Sequence, residues 1–141
     1  MLRVTADVHA RLVAHAYDAL PDEACGLLAG PAPTAPGGGD VKATRFYPCR
    51  NAAASSRVYT VDHRDYLAAE DDADAAGLAI VGVVHSHTHT DAYPSPTDVD
   101  RAADPSWRYV IVSLRQEAPV TRAYRIADGR VTEEAIALEP R

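Results

Sequence analysis

The segment Val83-Val84-His85-Ser86-His87-Thr88-His89-Thr90-Asp91-Ala92-Tyr93-Pro94-Ser95-Pro96-Thr97-Asp98 concentrates the residue types that hold metal ions. It begins where an apolar run ends. In a strand, side chains alternate in direction, so His85 and His87 point the same way and their ring nitrogens can converge on one ion. A carboxylate, Asp98, returns eleven residues after His87. Two imidazoles and one carboxylate suit Zn²⁺, with a fourth position left for water, the pattern of a catalytic rather than a structural zinc. A strand that ran on past His87 would add His89 to that face. The Thr-Asp-Ala-Tyr-Pro composition after His89 argues that the strand stops earlier, which leaves His89 outside the ligand set.

Ser95-Pro96-Thr97-Asp98 carries a second meaning. Ser at the cap, Pro at the first helical position and an acid at the third make a helix start. That reading and a catalytic one stand side by side, because a helix start at a strand's carboxyl end is where sheet proteins place functional groups. A metal hydrolase also needs a carboxylate to move protons. Glu23, in Asp22-Glu23-Ala24-Cys25-Gly26, reads on pattern alone as an exposed turn residue after Pro21.

The elements that would position these groups follow from periodicity. Leu2 and Val4 mark a short first strand. Val8, Leu12, Ala16 and Leu20 recur at helical spacing, with Val13 and Tyr17 widening the stripe and Pro21 ending it. Residues 25–29 read as a buried strand. Residues 30–39, rich in Pro and Gly, read as a mobile loop. Strands are expected over 41–47 and 57–61, and a polar helix over 62–76 with Gly77 after it. The apolar run 78–87 reads as a central strand buried on both faces, with 107–114 as a second. Residues 119–126 and 131–138 flank Asp128-Gly129, a hairpin signal. The order β-α-β-β-β-α-β-α-β-β-β predicts an α/β or α+β domain with a mixed central β-sheet flanked by helices, occupying 1–141 as a single domain.

These residues resemble the JAMM (MPN-plus) zinc metalloprotease family. Its signature is a Glu on an early strand, then H-x-H, seven residues and S-x-x-D. Here His85-Ser86-His87 is followed by seven residues and Ser95-Pro96-Thr97-Asp98, and Glu23-Ala24-Cys25-Gly26-Leu27-Leu28 is similar to the family's E-x-C-G strand. Thr88 stands where the family often has Pro, and with Ala92-Tyr93-Pro94-Ser95 it resembles the bacterial stand-alone branch. The resemblance implies an MPN core with cytidine-deaminase-like layering. It also implies one zinc on His85, His87 and Asp98, with Glu23 as general acid/base and Ser95 as hydrogen-bond donor to an oxyanion. For that branch it implies a peptidase that cleaves after the C-terminal Gly-Gly of a ubiquitin-like sulfur-carrier protein and releases cysteine. Alternatives are an isopeptidase or precursor-processing hydrolase on another ubiquitin-like protein, and a non-catalytic MPN interaction module.

Bulk properties bound the partners. Against 14 Lys+Arg stand 20 Asp+Glu, a net charge of -6, which argues against electrostatic binding to nucleic acid or an anionic membrane. Two cysteines, Cys25 and Cys49, make no disulfide framework. Residues 1–7 lack the apolar run of a signal peptide, so a soluble, cytoplasmic protein is expected. Cys25, on a buried strand, reads as a small apolar filler. Trp107 and Tyr109 read as core, and Arg57, Tyr59 and Arg64 as possible walls of a groove for a partner's tail.

Overall fold

The computed structural model describes residues 1–35 and 39–141. Strand β1 (Leu2–Thr5) leads into helix α1 (Ala6–Asp18), and Thr5 caps it by accepting the Val8 N–H. There follow β2 (Cys25–Gly30), β3 (Val41–Ala43), β4 (Arg45–Cys49), α2 (His63–Ala75), β5 (Ala79–His87) and α3 (Pro96–Arg101). Strands β6 (Arg108–Ser113), β7 (Val120–Ala127), β8 (Arg130–Glu134) and β9 (Ile136–Glu139) complete the chain. Gly77, just past α2, takes a positive φ of 71°, the left-handed turn that a helix end favours. Asp128 and Gly129 both have positive φ and close the β7–β8 hairpin.

The strands form two sheets. The large one has the order β4-β2-β5-β6-β7-β8 and is mixed, with β5 and β6 parallel and the other neighbours antiparallel. The small one is all parallel, in the order β3-β1-β9. Alternation sorts the central side chains onto two faces. Leu28, Val84, Val110 and Val112 pack with Val8, Leu12 and Ala16 of α1 and with β1. Cys25, Leu27, Val83, Tyr109 and Ile111 pack on the other side with Ala69 of α2 and with Tyr59, Val61 and Tyr66. His85 and His87 continue the row begun by Val83, so they emerge on the α2 side.

Several expected boundaries are corrected. Residues 57–61 are not a strand but irregular chain, with one isolated bridge between Asn51 and Val61. The run 41–47 divides at Thr44, because Val41–Ala43 joins β1 whereas Arg45–Cys49 joins β2. The run 131–138 divides in the same way between the two sheets. Gly30 belongs to β2 rather than to the Pro/Gly-rich loop, α1 stops at Asp18, and Tyr17 is exposed rather than part of the apolar stripe. Residues 36–38 of that loop, and with them its expected mobility, lie outside the described residues.

Candidate metal centre and active site

Pairing places Cys25 opposite His85, with Ile111 on the far side of His85. The end of β5 is therefore fixed from both flanks before any loop is considered. The Ser86 side chain, on the opposite face, accepts the Ala24 N–H at 2.8 Å, and Ser86 N–H donates to Ala24 O at 3.0 Å. This lock holds the segment carrying Glu23 against the strand carrying the histidines. The loop after His87 is pinned in turn. The Ser113 hydroxyl donates to Thr90 O, the Tyr124 hydroxyl donates to Ala92 O, and Arg115 pairs with Asp91 at 2.7 Å.

Asp98 returns to the site on the first turn of α3. Ser95 caps this helix, accepting the Asp98 N–H at 3.1 Å, while Asp98 Oδ2 accepts the Ser95 N–H at 2.8 Å. The capping box and the site thus share one carboxylate oxygen. That oxygen lies 3.1 Å from His85 Nε2 and 3.1 Å from His87 Nε2, and the two nitrogens are 3.1 Å apart. His85, His87 and Asp98 are the one group of three or more potential metal ligands of this kind among the described residues. His89 is exposed beyond the strand end and is not part of it.

The chemistry of this donor set fits a metal ion. His87 Nδ1–H donates to Asp91 O at 2.7 Å, which leaves its Nε2 with a lone pair facing the other two ligands. One proton can bridge only two of the three atoms, whereas a divalent cation satisfies all three. Ligands of a tetrahedral zinc bound at about 2.0–2.1 Å sit about 3.3 Å from one another, close to the triangle found. Electrostatics agree. Burial opposes ionisation of Asp98, but the two imidazoles outweigh it and hold the carboxyl well below the usual carboxylate range. Burial pushes His85 down, against the pull of Asp98. Burial also opposes protonation of His87, but Asp98 and the Asp91 carbonyl overcome it and raise it. A proton held there is the one that a metal ion displaces on binding.

Glu23 is buried, only 4% exposed, which corrects the exposed-turn reading. Its N–H donates to Ser55 O and its own carbonyl accepts from Asn51 Nδ2, so the backbone here is satisfied while Oε1 has no partner. Burial lifts this carboxyl from 4.5 to about 7; His87 pulls it down and Asp98 pushes it up. A carboxyl that titrates near neutrality beside a metal-ligand cluster is suited to accepting and returning a proton. Cys25 is no competitor for that role. Burial, helped by Cys49 and nearby carboxylates, pushes its thiol up to about 12, and its S–H points at the Arg50 and Cys49 carbonyls.

Sequence reasoning did not find the parts played by two contributors, Asp91 and Asn51, and read a third, Tyr59, only as a groove wall. The Asp91 carbonyl orients His87, and nothing in an Asp at that position signals a backbone role. Asn51 donates to the Glu23, Ser55 and Val58 carbonyls and accepts from the Ala53 and Thr60 N–H groups, organising the segment beside the site. Tyr59 stacks on His85, with ring centroids 4.4 Å apart and planes 19° from parallel.

The family model for prokaryotic homologs of the JAB domain matches residues 5–127. The chain belongs to the prokaryotic JAB-domain family. This JAB-domain chain is 43% identical over 140 residues to the CysO-cysteine peptidase of Mycobacterium tuberculosis, covering 96% of this chain and 90% of the relative. It is 34% identical over 118 residues to the desampylase of Haloferax volcanii, covering 79% and 80%. The solution structure of protein DSY2949 from Desulfitobacterium hafniense superposes with a TM-score of 0.89 at 37% identity, over 100% of this chain and 94% of that one. The JAB-domain assignment agrees with the JAMM/MPN resemblance carried by the His-x-His and Ser-x-x-Asp spacing.

Proposed function

We propose that this chain is a cytoplasmic zinc peptidase, its single domain spanning 1–141, that cleaves after the C-terminal Gly-Gly of a ubiquitin-like sulfur-carrier protein and releases cysteine. The observation that carries the reading is the His85–His87–Asp98 triangle with the neutral-range carboxyl of Glu23, its Oε1 buried and unpartnered, on the segment just before β2. The substrate class is supported by the 43% identity to a CysO-cysteine peptidase over nearly the whole chain. No helix is long and apolar enough to cross a membrane among the described residues.

In this reading His85, His87 and Asp98 hold one zinc. When bound, the ion supplies Lewis acidity toward the scissile carbonyl and makes water a nucleophile near neutral pH. Glu23 takes the proton from the attacking water and returns it to the departing amine of cysteine, a cycle suited to a group that titrates near 7. Ser95 already accepts the Asp98 N–H through its oxygen, and its O–H remains available as a donor to the developing oxyanion. The diglycine tail suits the site because an extended chain without side chains can approach a strand end closely.

The test is direct. Zinc-loaded protein is incubated with a carrier–cysteine adduct and the products are weighed by mass spectrometry. The expected result is loss of the cysteine mass from the adduct, abolished in Glu23→Gln. An intact adduct with zinc bound would overturn the substrate assignment. The likeness to desampylase favours a second reading, in which the bond cleaved joins another ubiquitin-like protein to its target. A panel of carrier fusions separates the two. A non-catalytic module would cleave nothing in either assay and would be indifferent to Glu23→Gln.

A further inference from the structure

The two histidines of the candidate centre are held by different means. His87 is oriented by a hydrogen bond, Nδ1–H to Asp91 O. His85 is only 2% exposed, yet its Nδ1 has no hydrogen-bond partner. A ligating imidazole ordinarily donates its other ring N–H to an acceptor that fixes its plane. For His85 that acceptor is missing, and what lies flat against the ring is Tyr59, at 4.4 Å and 19°.

The chain around Tyr59 is tied down from four directions. Arg101 of α3 donates to Tyr59 O at 2.8 Å. Asn51 donates to Val58 O and accepts the Thr60 N–H, gripping the backbone on either side of Tyr59. The Thr88 hydroxyl, one residue beyond His87, donates to Ser56 O. Ser55 O accepts the Glu23 N–H. These ties leave a segment of strand-forming residues in an irregular path whose outcome is one aromatic plane laid on His85. The Tyr59 hydroxyl makes no hydrogen bond among the described residues, and the contact with His85 is made by the ring face.

We infer that Tyr59 is a positioning residue for the metal centre, fixing the plane of His85 by stacking where His87 has a hydrogen bond. The inference rests on the zinc reading above. Hydrogen-bonded partners that orient a ligating imidazole typically hold about 10–100-fold in metal affinity, and the Tyr59 stack stands in the place of such a partner.

Zinc affinity is measured by competition with a chromophoric chelator, which needs no substrate. Tyr59→Phe keeps the ring and is expected to bind zinc within about 3-fold of the parent. Tyr59→Leu keeps bulk without a planar face and is expected to lose 10–100-fold. Equal affinity for Tyr59→Leu and the parent would overturn the inference, as would a Tyr59→Phe as weak as Tyr59→Leu. A parent chain that binds no zinc would instead refute the zinc reading itself, so the two failures are distinct. A second measurement does not depend on how the variants fold. In the parent, the carbon-bound ring protons of His85 should be shifted upfield by the Tyr59 ring, with and without zinc. Unshifted His85 protons would show that the stack does not form in solution and would overturn the inference.

Discussion

Burying Glu23 with its Oε1 unpartnered has a cost that depends on pH, and the cost can be measured in the metal-free chain. The unfolded chain ionises this carboxyl near 4.5, whereas in the fold burial keeps it protonated up to about 7. Between those values the folded state holds one more proton than the unfolded state, so stability falls as pH rises, by about 1.4 kcal/mol per pH unit. Over that window the loss sums to about 3 kcal/mol. It is absent below about 4.5 and complete above about 7. Glu23→Gln has nothing to ionise and escapes it. The assay is denaturant unfolding of parent and variant, chelated, at pH values from 4 to 8. Subtracting one curve from the other removes the titration of His87 and Asp98 common to both chains and leaves Glu23 together with its coupling to His87. The variant should gain about 3 kcal/mol on the parent between pH 4.5 and 7 and nothing further above that. Parallel curves, or a parent that gains on the variant, would refute the claim that the Glu23 carboxyl is buried uncompensated. A bound cation pulls the same group down, so the acidic limb of the zinc enzyme's kcat/KM profile, where Glu23 must lose its proton to act as base, should appear at or below pH 7.

Other outcomes follow from the same geometry. The double variant His85→Ala, His87→Ala should carry no zinc by metal analysis while the parent carries one per chain. Ser95→Gly should cost only a few tenths of a kcal/mol of stability, since Gly is tolerated at a helix cap. Loss of its O–H donor should nonetheless lower kcat by about 100-fold or more, read from cysteine release. A drop in kcat no larger than the drop in stability would leave Ser95 as a cap alone. Native protein at pH 8 should resist iodoacetamide at both cysteines, because burial pushes each thiol up to about 12. Mass spectrometry should show labelling only after unfolding.

The candidate metal centre was legible because its geometry is local. Alternation along β5 puts His85 and His87 on one side, and a capped helix start brings Asp98 back eleven residues after His87. Ser95 caps α3 next to the histidine pair, since the Asp98 oxygen that closes the capping box also faces the imidazoles. What sequence pattern did not show depends on distant partners. Arg57-Val58-Tyr59-Thr60-Val61 has the β-branched and aromatic composition of a strand, but the Asn51 side chain captures the backbone groups that a neighbouring strand would have paired. Glu23 reads as a turn residue after Pro21 until Ser55 O and Asn51 close over its backbone. The division of 41–47 at Thr44 reflects membership of two sheets, which no short-range period encodes.

X-ray absorption at the zinc edge tests the central claim most directly. One zinc per chain, bound at about 2.0–2.1 Å by two imidazole nitrogens, one carboxylate oxygen and one solvent oxygen, is the predicted result. A sulfur ligand from Cys25 or Cys49, a third imidazole from His89, or a shell with no room for solvent would contradict it.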